Sequence, residues 1–254
     1  MSLSLDPDDR RVPGSLSPEL QAVAEITATV DGFLFPREGP LLYDLARACT
    51  GRGVIVEVGS WKGKSTIWLA RGSEAGARVP IFAVDPHTGS PELHELFGDR
   101  IWTLPEFEEN IERAGVGDLV FPLVTASEEA AADFSRPVEL LFIDGAHDVA
   151  SVRGDIDVWL PWVVEGGVVA MHDTGRDQEP FLVAMETLYA GRGFRDVRFV
   201  DTISYGRKTN RPTVYDHVRG RLVLAVKVCA QAVGGANLPP AVRAVGRSVL
   251  RRFG

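Results

Sequence analysis

Cysteine is scarce: Cys49 and Cys229 are the only two in 254 residues. They lie far apart within apolar patterns and read as buried thiols, which excludes a disulfide framework. No run of eighteen or more apolar residues occurs, so no membrane-spanning helix is expected. Met1–Arg11 is acidic and polar, unlike the basic-then-apolar order of a secretory leader, and the expected compartment is the cytoplasm. There is no internal repeat and no low-complexity tract. Acid is missing from one end only: His217–Gly254 holds seven Lys/Arg and no Asp or Glu. The other 20 Lys/Arg therefore face all 35 Asp/Glu. So acidic a body disfavours nucleic acid as a partner, because phosphate contacts dominate that affinity.

The length suits one α/β domain with additions. Its organising stretch is Val54–Ser65, Val-Ile-Val-Glu-Val-Gly-Ser-Trp-Lys-Gly-Lys-Ser. A β-branched apolar run bounded by glycines and followed by a helical pattern predicts a buried parallel strand turning into a helix. Gly59 and Gly63 allow a ligand close to the backbone, with Ser60 and Trp61 between them and Ser65 opening the helix. Glu57 would place an acceptor in the crevice at the strand's carboxyl end.

Three ligands compete for this loop. A P-loop needs four residues between its first Gly and Gly-Lys-Ser/Thr, and only three separate Gly59 from Gly63-Lys64-Ser65. In a dinucleotide loop, Trp61 would fill the place of the pyrophosphate. A nucleoside without phosphates tolerates the bulky residue, and Glu57 can accept a hydrogen bond from a cationic ligand. This third pattern, that of the S-adenosylmethionine (SAM) methyltransferases, fits best.

The rest of the chain alternates. Ser17-Pro18-Glu19 starts a helix well, and Leu41–Cys49 forms another before the first strand. Val79–Asp85 reads as the second strand, its terminal Asp85 placed to take two ribose hydroxyls. Thr88–Trp102 is an insertion long enough for a lid. Val120–Val124 is a third strand, and Thr125-Ala126-Ser127 caps the next helix where an adenine edge could meet a hydroxyl. Leu140–Ile143 runs into Asp144-Gly145-Ala146-His147, and Gly166-Gly167 opens a fifth strand, Val168–Met171, that delivers His172-Asp173. A hairpin near Asp196–Tyr205 closes the pattern. The expected fold is α/β, a doubly wound, mostly parallel seven-stranded sheet with these strand ends along one crevice.

Asp144, His147, His172 and Asp173 thus follow two neighbouring apolar strands. Carboxylates meeting there repel unless a cation or proton sits between them, and oxygen ligands with room for water suit Mg²⁺. An imidazole titrates near neutrality, which suits a general base.

On these residues the chain resembles class I SAM-dependent methyltransferases, in the Mg²⁺-dependent O-methyltransferase branch that includes catechol-type and sugar enzymes. Glu57–Gly63 matches the first SAM motif, Asp85 the ribose acid, Ser127 the adenine contact and Asp144 the first metal aspartate, beside the cofactor. His147 falls where the branch carries its base, and His172-Asp173 aligns with the acidic pair that completes the metal site. The departure is His172, since neutral imidazole is a poor Mg²⁺ ligand: it is a ligand, an outer partner, or a sign that the metal differs or is lacking. The resemblance implies methyl transfer from SAM to a hydroxyl. The sparse aromatics of the variable segments, with Tyr43, Trp61 and Trp102 left to stack, favour a sugar, polysaccharide or glycolipid acceptor over a catechol. A SAM-binding protein without activity is the reading from another class.

The implied organisation is a flexible arm over 1–15, the methyltransferase domain with entry helices over 16–210, and a basic amphipathic extension over 211–254. In that extension Val242, Val245, Val249 and Phe253 recur at helical spacing beside Arg243, Arg247 and Arg251. Such a face suits either an anionic membrane surface or packing on the domain or a second subunit.

Overall fold

The structure, a computed structural model, describes residues 16–90, 94, 98 and 100–234, with side chains as far as 231. The expected arm, most of the expected lid and the part of the expected basic extension beyond 234 lie outside these residues.

The elements run α1 (Pro18–Thr27), α2 (Glu38–Arg47), β1 (Val54–Val58), α3 (Lys64–Glu74), β2 (Ile81–Val84), α4 (Leu104–Arg113) and β3 (Val120–Leu123). There follow α5 (Ser127–Ala132), β4 (Val138–Ile143), α6 (Val149–Trp159), β5 (Val163–Met171), α7 (Pro180–Ala184, running on as a π turn to Tyr189), β6 (Phe194–Val200), β7 (Ile203–Lys208) and α8 (Val214–Gly234). Ser17 caps α1 by accepting the Leu20 N–H, with proline next to it, as the sequence predicts.

All seven strands form one sheet in the order β3-β2-β1-β4-β5-β7-β6. The first five are parallel; β7 is antiparallel to both β5 and β6. Successive strands step one way from β1 to β2 and β3, then the other way from β1 to β4 and β5. That reversal opens a crevice at the carboxyl ends of β1 and β4, where ligands of doubly wound sheets bind.

The parallel strands feed two cores, because their side chains alternate between faces. Ile55, Leu140 and Phe142 pack with α2, α3 and α4 through Leu42, Ile67 and Phe107. Val54, Val56, Leu141 and Ile143 pack on the other face with Ile156, Trp159, Tyr189 and Val223. The two helices leading into the first core touch closely: a Cβ on Gly72 of α3 would lie 2.1 Å from the carbonyl oxygen of Tyr43 on α2. Tyr43 is accordingly buried in this contact and is not available to stack on a ligand.

One boundary differs from expectation. Gly166-Gly167 does not open β5 but lies inside it, where the pairing with β4 jumps from Val138–Val163 to Leu140–Val168. The glycines mark a bulge, which a local reading takes for a strand start.

Candidate active site

The first strand end presents the glycine loop. Gly59 has φ of 86°, and a Cβ there would sit 2.2 Å from the Asp144 carbonyl oxygen. Only glycine lets the turn after β1 pass so near the end of β4. Gly63, φ 89°, precedes α3, whose first turn buries Ser65 and Thr66.

Glu57 points from β1 towards that turn. It is fully buried; Thr66 Oγ1 donates to its Oε2 at 2.5 Å, while Oε1 has no hydrogen-bond partner among the described residues. Burial pushes the Glu57 carboxyl up to about 8, against the opposing effect of the Ser65 and Thr66 hydroxyls. The unpaired buried oxygen of Glu57 fits a cationic ligand group entering at the loop.

Asp85, just past β2, is already committed. Its Oδ2 accepts from the Ser60 and Trp61 N–H groups at 2.9 and 2.7 Å, and its Oδ1 from the His87 N–H at 2.7 Å. Of roughly four acceptor directions on a carboxylate, three are used, so Asp85 binds the glycine loop itself and has one direction left. Trp61 sits in the left-handed region at φ 46°, and Lys62 Nζ stands 5.7 Å from its ring. Ser60 is buried with its hydroxyl unpaired among the described residues. Ser127 lies inside α5 rather than capping it; Ala126 holds the cap position. The Ser127 hydroxyl accepts from Trp159 Nε1 at 3.0 Å, so an adenine would meet it only beside that bond.

The ends of β4 and β5 bring together three of the expected residues. Ligand atoms of Asp144, His147 and Asp173 all lie within 4.8 Å of one another. His147 is half exposed, and its Nε2 lies 3.0 Å from Asp173 Oδ2. Gln178 Nε2 donates to Asp173 Oδ1 at 2.7 Å. Asp173 itself holds φ of 51°, an uncommon backbone for a residue with a side chain.

His172 is drawn behind this cluster. Its ring is buried, with Nδ1 2.9 Å from Asp144 Oδ1 and 3.3 Å from Asp173 Oδ2, and Nε2 3.1 Å from Glu38 Oε2. At Nδ1 the contact is one of charge lying between two oxygens, not an aligned hydrogen bond. Burial alone would lower its pKa, but Asp144, Asp173 and Glu38 override that and hold the ring protonated well above 6.5. With both nitrogens facing carboxylates, His172 supplies a fixed positive charge here. Burial raises the Asp144 carboxyl, with His172 opposing; at Asp173 His147 and His172 outweigh burial and hold it well below the carboxylate range.

Glu38 escaped the sequence reading. It is wholly buried at the start of α2, where its Oε1 accepts from Thr202 N and Oγ1 at 2.9 and 2.7 Å and its Oε2 from Phe35 N at 2.7 Å. An acid in the first turn of a helix reads as a partner for the helix dipole, and nothing local reveals the histidine it meets.

These features define a cofactor crevice at a topological switch point, with a charged cluster beside it. Residues 56–174 match the model of a methyltransferase domain family, Methyltransf_24. Solved structures agree on the fold. The O-methyltransferase NovP shares 18% identity over 68% of this chain and 80% of its own, with a TM-score of 0.59. Cofactor-bound Rv0187 from MTB gives 22%, 80%, 94% and 0.54, and the SAM-bound O-methyltransferase TomG from Streptomyces achromogenes gives 19%, 78%, 93% and 0.50. The chain thus has the class I SAM-dependent methyltransferase fold. Its residues 56–174 are similar to a methyltransferase domain, and its structural neighbours include O-methyltransferases.

Proposed function

We propose that the protein is a SAM-dependent O-methyltransferase that moves the sulfonium methyl to a hydroxyl of a small molecule, with His147 as general base. The observation that carries this reading is the convergence of Asp144, His147 and Asp173 at adjacent strand ends beside Gly59. Glu57 Oε1 receives the cofactor's ammonium, Gly59 and Gly63 let the loop pass close to it, and Asp85 offers its remaining acceptor direction to the ribose. The Nε2 of His147 is directed at Asp173, and the imidazole ring takes the acceptor's proton. Asp173 fixes the ring, and the domain holds donor and acceptor in line.

The oxygens of Asp144 and Asp173, with room for water on the exposed side, suit Mg²⁺, and His172 steadies Asp144 from behind. When bound, the ion would lower the pKa of an acceptor hydroxyl and orient a vicinal diol. The adjacent hollow is lined by Ile143, Gly145, Ala146, Val152, Met171 and Pro180 besides the charged cluster. The sparse aromatics of the variable segments support a sugar, polysaccharide or glycolipid acceptor over a catechol. A lipid-carried acceptor would also suit α8, whose Val214, Tyr215, Val218 and Leu222 are exposed in a segment rich in arginine. No described helix is long and apolar enough to cross a membrane, so such contact would be peripheral, from the cytoplasmic side.

Transfer of labelled methyl from SAM across sugar, glycolipid and catechol panels, with and without chelator, tests the reading. A sugar product lost with chelator is expected. SAM binding with no product on any hydroxyl acceptor would reduce the protein to a SAM-binding one.

A further inference from the structure

Helix α8 is apolar from Leu222 to Ala230 except at Lys227, and Gln231 is the next polar residue, one turn on. Both interruptions share a face, being four residues apart. Surface is where such residues ordinarily belong, yet Lys227 is completely buried. Its Nζ donates to Thr174 Oγ1 and Ser204 Oγ, each at 2.8 Å, and lies 5.3 Å from the centre of the Phe199 ring. Gln231 Oε1 accepts from the Arg176 N–H at 2.9 Å.

Lys227 makes no ion pair among the described residues, and a buried ammonium without one is costly. Burial brings its pKa down to about 7, with Glu38 and Asp201 opposing from further away. A methionine of similar length would fill the space more cheaply, since well-packed apolar replacements of buried charges are often neutral or stabilising. Stability therefore does not account for the lysine. What it does is grip Thr174, the residue after Asp173.

That grip continues through the loop. The Thr174 hydroxyl donates to the Thr202 carbonyl, and its N–H to the same oxygen at 3.0 Å. Ser204 contacts both the Thr174 and Tyr189 hydroxyls, at 2.7 and 2.8 Å. Gln178 Oε1 accepts from Gly175 N at 2.8 Å while its amide holds Asp173. Asp173, in its left-handed backbone, needs such surroundings to persist.

We propose that Lys227 and Gln231 are positioning residues that lock the 173–178 loop onto α8, so that the Asp173 carboxylate faces Asp144 and His147. The C-terminal helix is then a working part of the methyl-acceptor end. The link between lock and catalysis rests on the proposed reading of that cluster as the reactive centre.

The test uses the full chain with Lys227→Met and, separately, Gln231→Ala, which removes a partly exposed group and spares the core. Amide hydrogen exchange is followed by NMR, alongside SAM calorimetry, melting at pH 6 and methyl transfer. Exchange at Thr174 and Arg176 should quicken at least tenfold, with SAM affinity within twofold of native. The melting temperature of Lys227→Met should hold or rise, and kcat should fall about tenfold without change in the KM for SAM. Unchanged exchange in the loop of both variants, or a uniform rise across β5, β7 and α8 with lowered melting, overturns the lock. A native protein that transfers no methyl defeats the catalytic reading instead, and the exchange result still decides the lock.

Discussion

Nε2 of His172 stands 3.1 Å from Oε2 of Glu38, a contact between residues 134 positions apart that joins the entry helix to the end of β5. Neither group reaches solvent, so the contact is made away from water. Removing one partner of a buried ion pair costs about 3–5 kcal/mol, and Glu38→Ala should lose that much in urea unfolding. Glu38→Gln, which keeps the Thr202 bonds, should lose less. The pH dependence has a definite sign. A histidine whose folded pKa is raised contributes fully below about 6.5 and loses that contribution as pH rises through the folded value. In Glu38→Gln the decline should begin at lower pH.

Glu57 should make cofactor binding proton-linked. Its carboxyl, at about 8 in the unliganded protein, is mostly protonated at neutral pH and must ionise to meet an ammonium. Calorimetry at pH 7 in buffers of different ionisation enthalpy should show close to one proton released. Glu57→Gln should abolish the release and weaken binding about tenfold or more, as expected for one charged hydrogen bond of roughly 1.5–3 kcal/mol. Without cofactor, an acid raised this way makes the native state lose stability between pH 4.5 and about 8, where it binds more protons than the unfolded chain.

His147 and the aspartates should fail differently. His147→Ala should bind SAM normally and lose about 10²–10⁴ in kcat, with a residual rate that rises with pH as hydroxide replaces the base. Asp144→Asn and Asp173→Asn should instead shift any Mg²⁺ dependence to higher concentration. His172→Asn separates the roles: it should lower stability, because Glu38 is left buried without its cation. A His172→Asn protein as stable as native and lacking only kcat would make His172 the base.

Asp85→Ala should do more than remove a ribose contact. Three N–H groups of Ser60, Trp61 and His87 lose their acceptor, so the loop should loosen while SAM affinity falls tenfold or more. Unchanged calorimetry in a folded variant would take Asp85 out of the cofactor site.

For α8, Val218→Glu with Leu222→Glu should abolish any salt-sensitive sedimentation with anionic vesicles and leave SAM binding alone. If the pair of substitutions instead splits a dimer in analytical ultracentrifugation, the exposed stripe belongs to a second copy.

The strand-end half of the candidate site is legible because its signals are local. Glu57, Gly59 and Gly63 stand within one strand–turn–helix unit, and Asp144 and Asp173 directly follow apolar runs. The supporting half is not. Glu38, Lys227 and Gln231 each look like ordinary helix residues, and the partners that give them their roles, His172, Thr202, Thr174, Ser204 and Arg176, lie 23 to 164 positions away. Asp85 was read for its position at a strand end, which says nothing about the backbone groups that use its oxygens. Tyr43 was an aromatic residue whose burial only helix packing decides.

The antiparallel return of β7 has a consequence for how the molecule is made. Gly59, Asp85 and Asp144 have all left the ribosome before Thr202, Ser204 and Lys227 are translated, at about 5–20 residues per second. For several seconds a nascent chain holds the glycine loop, Asp85 and Asp144 without the strand that closes the sheet beyond β5. Glu38 waits through that interval without the threonine amide and hydroxyl it will finally hold. A messenger truncated before β7 would therefore lack Thr202, Ser204 and Lys227 together, the three residues that hold Thr174 in place.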